Sequence, residues 1–292
     1  MRGTMNLEEY FQRIGFHGPK DTADLNTLRS IHKLHVMSIP FENLSLHCGE
    51  RITMDLEEIF NKIVRRSRGG WCFESNSLFG WVMRQMGFDA TMLGSRVFNN
   101  GDFGSRDDHL IHMVRIGEKA YIADVSFGVS FQLWEPIELI SGKDQPQVAG
   151  VFHLTEKDGT WTLEKTRRKP KILDPAFAES SLVSKKETQQ LYCFTLTPQE
   201  PEHFSEKNHS LQTDPASLFT NKSICSLQTP TGFRVLVGWT YSEVTYKPEE
   251  GIDVLDIKNV NDDEIEELLK NQFDVRLQNK LKPVNKKADY SI

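Results

Sequence analysis

Apolar residues recur every three or four positions over residues 1–87, a spacing typical of helices that bury one face. Residues that favour helix starts precede these repeats, and glycine, proline or basic residues end them, so the pattern predicts four helices. The predicted starts are Asn6, Asp24, Asp55 and Cys72. The predicted ends are Gly15, Pro40, the basic run at 65–68 and Gly87. We expect these helices to form a small bundle.

From residue 88 onward the apolar spacing shortens towards every second position, which is typical of strands with one buried face. The predicted strands cover residues 90–98, 109–116, 119–125, 131–139, 151–156, 161–165 and 191–196. Asp158-Gly159 marks a two-residue hairpin turn between two of them, because this pair tolerates the positive φ angles of such a turn. Short strands joined in this way indicate a small barrel or sandwich.

The last part of the chain mixes both patterns. Residues 166–190 carry many cations and few apolar side chains, so we expect a surface insertion or long loop there. Residues 197–224 are predicted to form a connecting segment. Strands at 225–228, 233–237 and 243–247 and a helix capped by Asn261 are predicted to follow. The polar end at 280–292 is expected to lie over the surface.

Composition narrows the class of protein. The chain has 292 residues, 38% hydrophobic and 26% charged, with a formal net charge of −6. This is typical of a soluble globular protein and argues against a dedicated nucleic-acid binder. No apolar run is long enough to span a membrane, and the first residues lack the apolar core of a signal peptide. The four cysteines have no zinc-site spacing, so we expect a cytosolic protein without disulfides or a metal.

Cys72 is the strongest candidate for chemistry. It follows Gly69-Gly70 and opens the fourth predicted helix, where unpaired N–H groups and the helix dipole favour the reactive thiolate. The alternative is that Cys72 is a small buried apolar residue, a common fate of free cysteines. A nucleophile also needs a base and a group that orients this base.

The hairpin at 109–125 offers both. Gly117-Glu118 fits a two-residue type II′ turn, and the register that this turn sets places His109 and Asp124 on one sheet face as diagonal neighbours. A three-residue turn would instead place His112 opposite Asp124. Either pair could also be a surface ion pair worth under about 1 kcal/mol.

Cysteine, histidine and aspartate in this chain order can form a catalytic triad. Cys72 would be the nucleophile, His109 the base and Asp124 the residue that orients the imidazole. His47 beside Cys48 is a weaker pair of the same kind. This chemistry requires no metal.

Several longer motifs resemble the arylamine N-acetyltransferase family, and the last two are similar to its vertebrate cytosolic form. They are Arg68-Gly69-Gly70-Trp71-Cys72, Pro40-Phe41-Glu42-Asn43-Leu44, residues 59–68, residues 134–136 with 140–148, and residues 225–230. The resemblance implies an α+β fold with a cysteine catalytic core like that of papain-type proteases and transglutaminases. Its implied parts are a helical bundle (1–87), a β-barrel (88–196), an interdomain segment (197–229) and an α/β lid with a tail (230–292).

The resemblance also implies the reaction and the ligands. Cys72 would take an acetyl group from acetyl-CoA and pass it to an arylamine or hydrazine in a ping-pong mechanism, with the triad completed by His109 and Asp124. The implied acceptor-binding residues are Phe41, Val97, Phe98 and Asp108, and the implied coenzyme-binding residues are Ser105 and Ser217. The expected partners are these small molecules alone, with no nucleic acid or membrane, and the expected state is a monomer.

Ser126 departs from the family pattern, which usually has glycine at that position. If the backbone there required a positive φ, serine would cost about 1 kcal/mol or more. This residue therefore leaves open a catalytically silent member kept as a binding protein. The triad alone also allows a cysteine hydrolase or a transglutaminase-like acyl transferase, because it does not identify the acyl donor.

Overall fold

A computed structural model describes residues 4–99, 101–104, 106–184, 186–286 and 290–292. Its helices include the four predicted near the N-terminus and others later in the chain. The α-helices are α1 (Leu7–Ile14), α2 (Leu25–Ser38), α3 (Leu44–His47), α4 (Leu56–Phe60), α5 (Cys72–Gln85), α6 (Ser205–Thr213), α7 (Leu218–Asn221) and α8 (Asp262–Phe273). None of the helices in these ranges has the length and apolar character needed to cross a bilayer.

Side-chain caps explain where the first helices begin. The Asn6, Asp24 and Asp55 side chains accept hydrogen bonds from the backbone N–H groups of the first turns of α1, α2 and α4, as predicted. Gly15 ends α1 in the left-handed region with φ 68°. A π-helical turn at Asn61–Arg65 extends α4 to the basic run that was predicted as its end.

The strands form two sheets. In chain order they are β1 (Phe41–Glu42), β2 (Asp89–Asn99), β3 (Asp102–Phe103), β4 (His109–Ile116), β5 (Lys119–Ala123), β6 (Ile137–Glu138), β7 (Lys143–Gln147), β8 (Gly150–Lys157), β9 (Thr160–Thr166), β10 (Lys169–Ile172), β11 (Thr188–Pro198), β12 (Ile224–Thr229), β13 (Gly232–Val237), β14 (Thr240–Lys247) and β15 (Ile252–Asn259). The larger sheet has the order β6-β5-β4-β2-β11-β9-β8-β7, and β3 pairs with β2. The smaller sheet has the order β1-β12-β13-β14-β15-β10.

The larger sheet curls into a nearly closed barrel, and side chains link its two edge strands. The Gln145 amide on β7 accepts from the Glu138 N–H at 2.8 Å and donates to the Glu138 carbonyl at 2.9 Å. Gln147 of β7 bonds to residues just before β6, because its amide accepts from the Trp134 N–H at 2.9 Å and donates to the Glu135 carbonyl at 2.8 Å. These side-chain bonds satisfy backbone groups that an open sheet edge would expose.

The predicted hairpin register is confirmed. Ile116 pairs with Lys119 and His112 with Ala123 along β4 and β5, so continuing the ladder brings Ile111 opposite Asp124. Gly117 has φ 60°, the value that the first central residue of a type II′ turn requires. The three-residue turn that would have placed His112 opposite Asp124 is therefore wrong.

Helix α5 brings the cysteine region onto this hairpin. Its apolar side chains Leu78, Phe79 and Val82 are fully buried, and the helix packs on β4 and β2. Because α5 begins at Cys72 and β4 begins at His109, this packing brings the two residues to the same end of the structure.

Two predictions for the later chain were wrong, and the structure adds detail to two others. Within 131–139 only β6 is a strand, because the preceding residues form a 3₁₀ turn at Val129–Phe131. The expected loop at 166–190 contains β10, which pairs in parallel with β15. The sequence pattern had predicted neither of these two strands. The connecting segment contains α6 and α7. The tail does not simply cover the surface, since Ile292 is buried and its N–H donates to the Leu182 carbonyl at 2.7 Å.

Candidate active site

The turn before Cys72 requires glycine because it lies directly against β1. A Cβ atom on Gly69 would lie 2.0 Å from the Pro40 carbonyl oxygen. The Gly70 N–H donates to that same oxygen at 3.1 Å, and the Gly70 carbonyl accepts from the Glu42 N–H at 3.1 Å. The close approach of the two backbones fixes the entry into α5 and therefore the position of Cys72.

Two buried ion pairs support this turn, and we call Arg68, Glu42, Lys62 and Glu74 the nucleophile support. The Arg68 guanidinium donates to the Glu42 carboxylate at 2.9 and 3.2 Å. The Lys62 ammonium donates to Glu74 at 2.8 Å, and the same carboxylate accepts from the Trp71 N–H at 3.2 Å. Burial opposes ionisation of Glu42, but Arg68 and Lys62 outweigh it and hold the pKa of Glu42 below its usual value.

The thiol of Cys72 lies beside the predicted base. Cys72 is buried, and its Sγ lies 3.9 Å from the Asp108 carbonyl oxygen. Burial by itself would lower the pKa of His109, but the Asp124 carboxylate and the Cys72 sulfur outweigh burial and raise this pKa to about 10. A protonated imidazole next to a cysteine sulfur is the arrangement that activates nucleophilic cysteines in general.

Asp124 is hydrogen-bonded to the imidazole of His109. Its Oδ2 accepts a hydrogen bond from His109 Nε2 at 2.7 Å, and both side chains are buried. Its Oδ1 accepts from Asn76 Nδ2 at 2.9 Å and from the Ser126 N–H at 3.0 Å. Burial would raise the pKa of Asp124, but the contacts with His109 and these donors lower it, so the carboxylate stays ionised.

Three neutral side chains hold Asp124 in place, and we call Asn76, His32 and Gln132 the aspartate support. Besides the bond from Asn76, the Asp124 N–H donates to His32 Nε2 at 3.2 Å and its carbonyl accepts from Gln132 Nε2 at 2.6 Å. His32 Nδ1 lies 3.0 Å from the Trp134 carbonyl. This bond requires the proton on Nδ1 and leaves Nε2 as the acceptor.

The sequence reading missed the aspartate support. Asn76 follows Cys72 by four residues and therefore shares its helix face, which is the one local signal for its role. His32 and Gln132 reach Asp124 only through the tertiary fold. Burial lowers the pKa of His32 to about 4, so its ring stays neutral and acts as an acceptor near neutral pH.

The competing histidine candidates have other surroundings. His112 is fully buried, its ring nitrogens have no partner, and burial lowers its pKa to about 3. His47 Nε2 lies 2.9 Å from the Phe219 carbonyl oxygen. Burial raises the pKa of Cys48 to about 11, so Cys48 is a poor nucleophile near neutral pH. Neither the His47–Cys48 pair nor His112 lines the cavity described next, as far as the described residues show.

A cavity of about 950 Å³ opens beside Cys72 and His109. All the acceptor-binding residues that the resemblance implies line it. They are Phe41, Val97, Phe98 and Asp108. The Asp108 carboxylate accepts from the Val97 N–H at 2.8 Å, and burial raises its pKa. Further aromatic side chains complete an apolar wall. They are Phe127, Phe131 and Phe219.

The coenzyme residues give a mixed result. Ser217 lines the cavity, and its hydroxyl donates to the Leu211 carbonyl at 2.8 Å while accepting from the Phe219 N–H at 3.2 Å. Ser105 lies outside the described residues. Lys186 and Lys207 also line the cavity and bring positive charge to it. Within the described ranges, no group of three or more His, Cys, Asp or Glu side chains could hold a metal ion.

Ser126 lies beside the triad without the backbone strain considered above. It is not among the residues with positive φ, so the conditional cost of a serine here does not arise. The side chain is 1% exposed and its hydroxyl has no hydrogen-bond partner. The backbone at Ser126 therefore gives no reason to expect a silent site.

Comparisons with known proteins identify the family of this chain. A family model described as N-acetyltransferase matches residues 24–282. The chain is 49% identical over 290 residues to the arylamine N-acetyltransferase pineal gland isozyme NAT-10 of Gallus gallus, covering 99% of this chain and 100% of that protein. It is 46% identical over 281 residues to arylamine N-acetyltransferase 1 of Bos taurus, covering 96% and 97%. The solved arylamine N-acetyltransferase of Salmonella typhimurium has a TM-score of 0.79 at 26% identity, covering 92% and 90%.

Proposed function

This chain belongs to the arylamine N-acetyltransferase family, and on that premise we propose that it carries an acetyl group from acetyl-CoA to arylamines or hydrazines through an acetyl-Cys72 intermediate. One observation carries the proposal. The buried His109–Asp124 hydrogen bond of 2.7 Å lies next to a cysteine that faces an aromatic cavity. The triad supplies a nucleophile and a base, and the family supplies the acyl group.

The first half-reaction forms the acetyl-enzyme. The Cys72 thiolate attacks the carbonyl carbon of the acetyl thioester, a new carbon–sulfur bond forms, and the bond to the coenzyme sulfur breaks. The departing coenzyme sulfur takes the proton that His109 holds, so free CoA leaves as a thiol. His109 is then neutral and ready to act as a base.

The second half-reaction transfers the acetyl group to the amine. The amine nitrogen attacks the carbonyl carbon of acetyl-Cys72, and His109 removes a proton from this nitrogen as the new carbon–nitrogen bond forms. The carbon–sulfur bond to Cys72 breaks, which restores the thiolate and the protonated imidazole. Asp124 keeps the imidazole oriented in both steps and stabilises its charged form.

The cavity suits both substrates. Phe41, Phe98 and Phe127 present aromatic faces on which a planar arylamine can stack. Lys186 and Lys207 offer ammonium groups that suit the phosphates of a coenzyme. We therefore assign the aromatic wall to the acceptor and the lysine-bearing part of the cavity to the donor, with Ser217 beside the donor.

The test of the proposal is the mass of the protein after incubation with acetyl-CoA alone. We expect one added acetyl group on Cys72, its loss when an arylamine is added, and appearance of the acetylated amine. Cys72→Ser should form no adduct and lose turnover, because a hydroxyl is a far weaker nucleophile at neutral pH. The matched control is Cys48→Ser, since burial keeps Cys48 protonated, and this variant should behave as the natural protein does.

Two results would contradict the proposal. Full turnover by Cys72→Ser would remove the assigned nucleophile. Peptide or glutamine turnover without any acetylated amine would favour a hydrolase or a transglutaminase-like enzyme instead. The cytosolic location, the monomeric state and the domain boundaries stay predictions of the sequence.

A further inference from the structure

Val129 has an unusual backbone conformation at the edge of the aromatic wall that we assign to the acceptor, called the acceptor wall below. Its φ is 44°, a value that β-branched residues rarely adopt because the side chain crowds the backbone. Val129 is almost fully buried and lines the cavity beside Phe127 and Phe131. Such a conformation persists only where the surrounding structure imposes it.

Two side chains from the smaller sheet hold this conformation. The Val129 N–H donates to the Ser226 hydroxyl oxygen at 3.2 Å, and the Val129 carbonyl accepts from Gln228 Nε2 at 2.8 Å. Gln228 Oε1 accepts from the Trp134 indole N–H at 2.8 Å, and this bond fixes which end of the amide faces Val129. Ser226 and Gln228 both belong to β12 and are buried.

A third side chain from the same sheet, the ring of Phe41, packs against Gly128, the residue before Val129. Phe41 of β1 pairs with Ser226. The Phe41 ring fills the space next to Gly128, since a Cβ atom there would lie 2.8 Å from Phe41 Cδ1. Gly128 has φ 87°, which glycine adopts without strain. The smaller sheet therefore constrains Gly128 and Val129, the two residues that follow Phe127 of the acceptor wall.

We propose that Ser226 and Gln228 form a clamp that keeps Val129 in its left-handed conformation and thereby sets which amines the cavity accepts. Both are positioning residues, since they act through Val129 and line no part of the cavity among the described residues. We expect a fixed Val129 to favour single-ring arylamines over fused-ring ones, because its side chain lines the cavity and limits the room for a wider ring system. The selectivity argument rests on the proposed function.

The variants are Ser226→Ala, Gln228→Met and the pair combined. Each removes a partner of the Val129 backbone with little change in side-chain volume. The matched control is Ser242→Ala on β14 of the same sheet, where the serine is equally buried but its hydroxyl has no partner. A general effect of losing a buried serine hydroxyl would appear in this control as well.

Two kinetic readouts separate positioning from general damage. The rate of acetyl-Cys72 formation should stay near that of the natural protein, because the substitutions leave the triad residues and their hydrogen bonds in place. The ratio of kcat/KM for aniline to that for 2-aminofluorene should fall by about tenfold in the combined variant, a typical effect of changing one pocket contact. Equal loss in both half-reactions, or an unchanged ratio, would overturn the proposal.

A crystal structure of the combined variant tests the clamp without reference to activity. We expect Val129 to relax to a negative φ, and a retained positive φ would overturn the clamp. If Gln228→Met does not fold, Ser226→Ala alone decides by both readouts. Absence of acetyl-Cys72 in the natural protein would instead contradict the proposed function, and the Val129 conformation in the variant would still decide the clamp.

Discussion

The nucleophile support and the aspartate support each hold one residue of the triad in position, but they do so with different kinds of interaction. Cys72 is positioned by buried charges, with Arg68 bonded to Glu42 and Lys62 bonded to Glu74. Asp124 is positioned by the neutral donors and acceptors of Asn76, His32 and Gln132. Ion pairs therefore hold the nucleophile of the triad in position, and neutral hydrogen bonds hold its aspartate.

The difference has an electrostatic reason. Asp124 carries the charge that stabilises protonated His109, and a fixed cation beside Asp124 would compete for its carboxylate. Neutral hydrogen bonds hold Asp124 without weakening that pair. The nucleophile support faces no such constraint, because its ion pairs hold the backbone turn rather than the reacting groups. Breaking the two supports should therefore affect different properties.

The largest expected effect is on activity, from Asp124→Asn. The amide would present either an oxygen or an NH₂ group to His109 Nε2, so it cannot stabilise the protonated ring as a carboxylate does. We expect kcat to fall by about 10³- to 10⁴-fold, as for a triad whose orienting carboxylate becomes an amide. Stopped-flow measurement of acetyl-Cys72 formation would check this. A loss below about tenfold would mean that Asp124 does not orient the base.

The next effect is on stability, from Arg68→Met. This change leaves the Glu42 carboxylate buried without its main partner, and we expect about 3–5 kcal/mol lower free energy of unfolding. Urea denaturation followed by circular dichroism would measure it. The control is Arg106→Met, since Arg106 forms an exposed pair with Glu206 at 2.7 Å and should contribute little. Equal losses in both variants would contradict the role of the buried pair.

A smaller effect is expected from His32→Leu in the aspartate support. Leucine leaves the Asp124 N–H buried without an acceptor, which costs about 1–3 kcal/mol of stability. We also expect kcat to fall by less than in Asp124→Asn, because the carboxylate itself remains. The pH profile of Cys72 alkylation by iodoacetamide should shift if Asp124 has moved relative to His109. A variant with lower stability but an unchanged profile would make His32 purely structural.

Local chemistry explains which parts of this site could be predicted from sequence. Gly117-Glu118 fixes a two-residue turn, and that turn alone sets the register that puts His109 near Asp124. The caps of α1, α2 and α4 are local in the same sense. Cys72 at the start of α5 follows from the apolar spacing around it.

Most of the missed parts depend on distant contacts or lack an apolar pattern, whereas β15, which was also missed, buries alternate residues. Strand β7 has the sequence Lys-Asp-Gln-Pro-Gln, and its role comes from glutamine side chains that link it to residues near β6. Strand β10 likewise has no buried face and is recognisable only by its pairing with β15. His32 lies 92 residues from Asp124 in the chain, so no spacing rule connects them.

The smallest expected effect is on the pH dependence of stability, and it compares His32 with His112. His112 is also fully buried, but its ring has no hydrogen-bond partner. Burial lowers the pKa of His32 to about 4 and that of His112 to about 3. The unfolded chain therefore binds a proton at each ring below about pH 6.5, while the folded protein does not. Each ring destabilises the fold as the pH falls from about 6.5, and burial of His35 acts in the same direction.

His112→Leu should thus remove one pH-dependent cost and leave no bond broken. We expect little change in the free energy of unfolding near pH 7 and a relative gain of about 1.4 kcal/mol near pH 5.5. His32→Leu should show the same relative gain at low pH, but its free energy of unfolding should be lower at every pH because the bond to Asp124 is lost. The two curves of stability against pH should therefore be parallel, with the His32→Leu curve below the other. Urea titrations across this range would measure both. Coincident curves would mean that the His32 bond contributes nothing, and an unchanged slope in His112→Leu would mean that His112 is protonated in the folded protein.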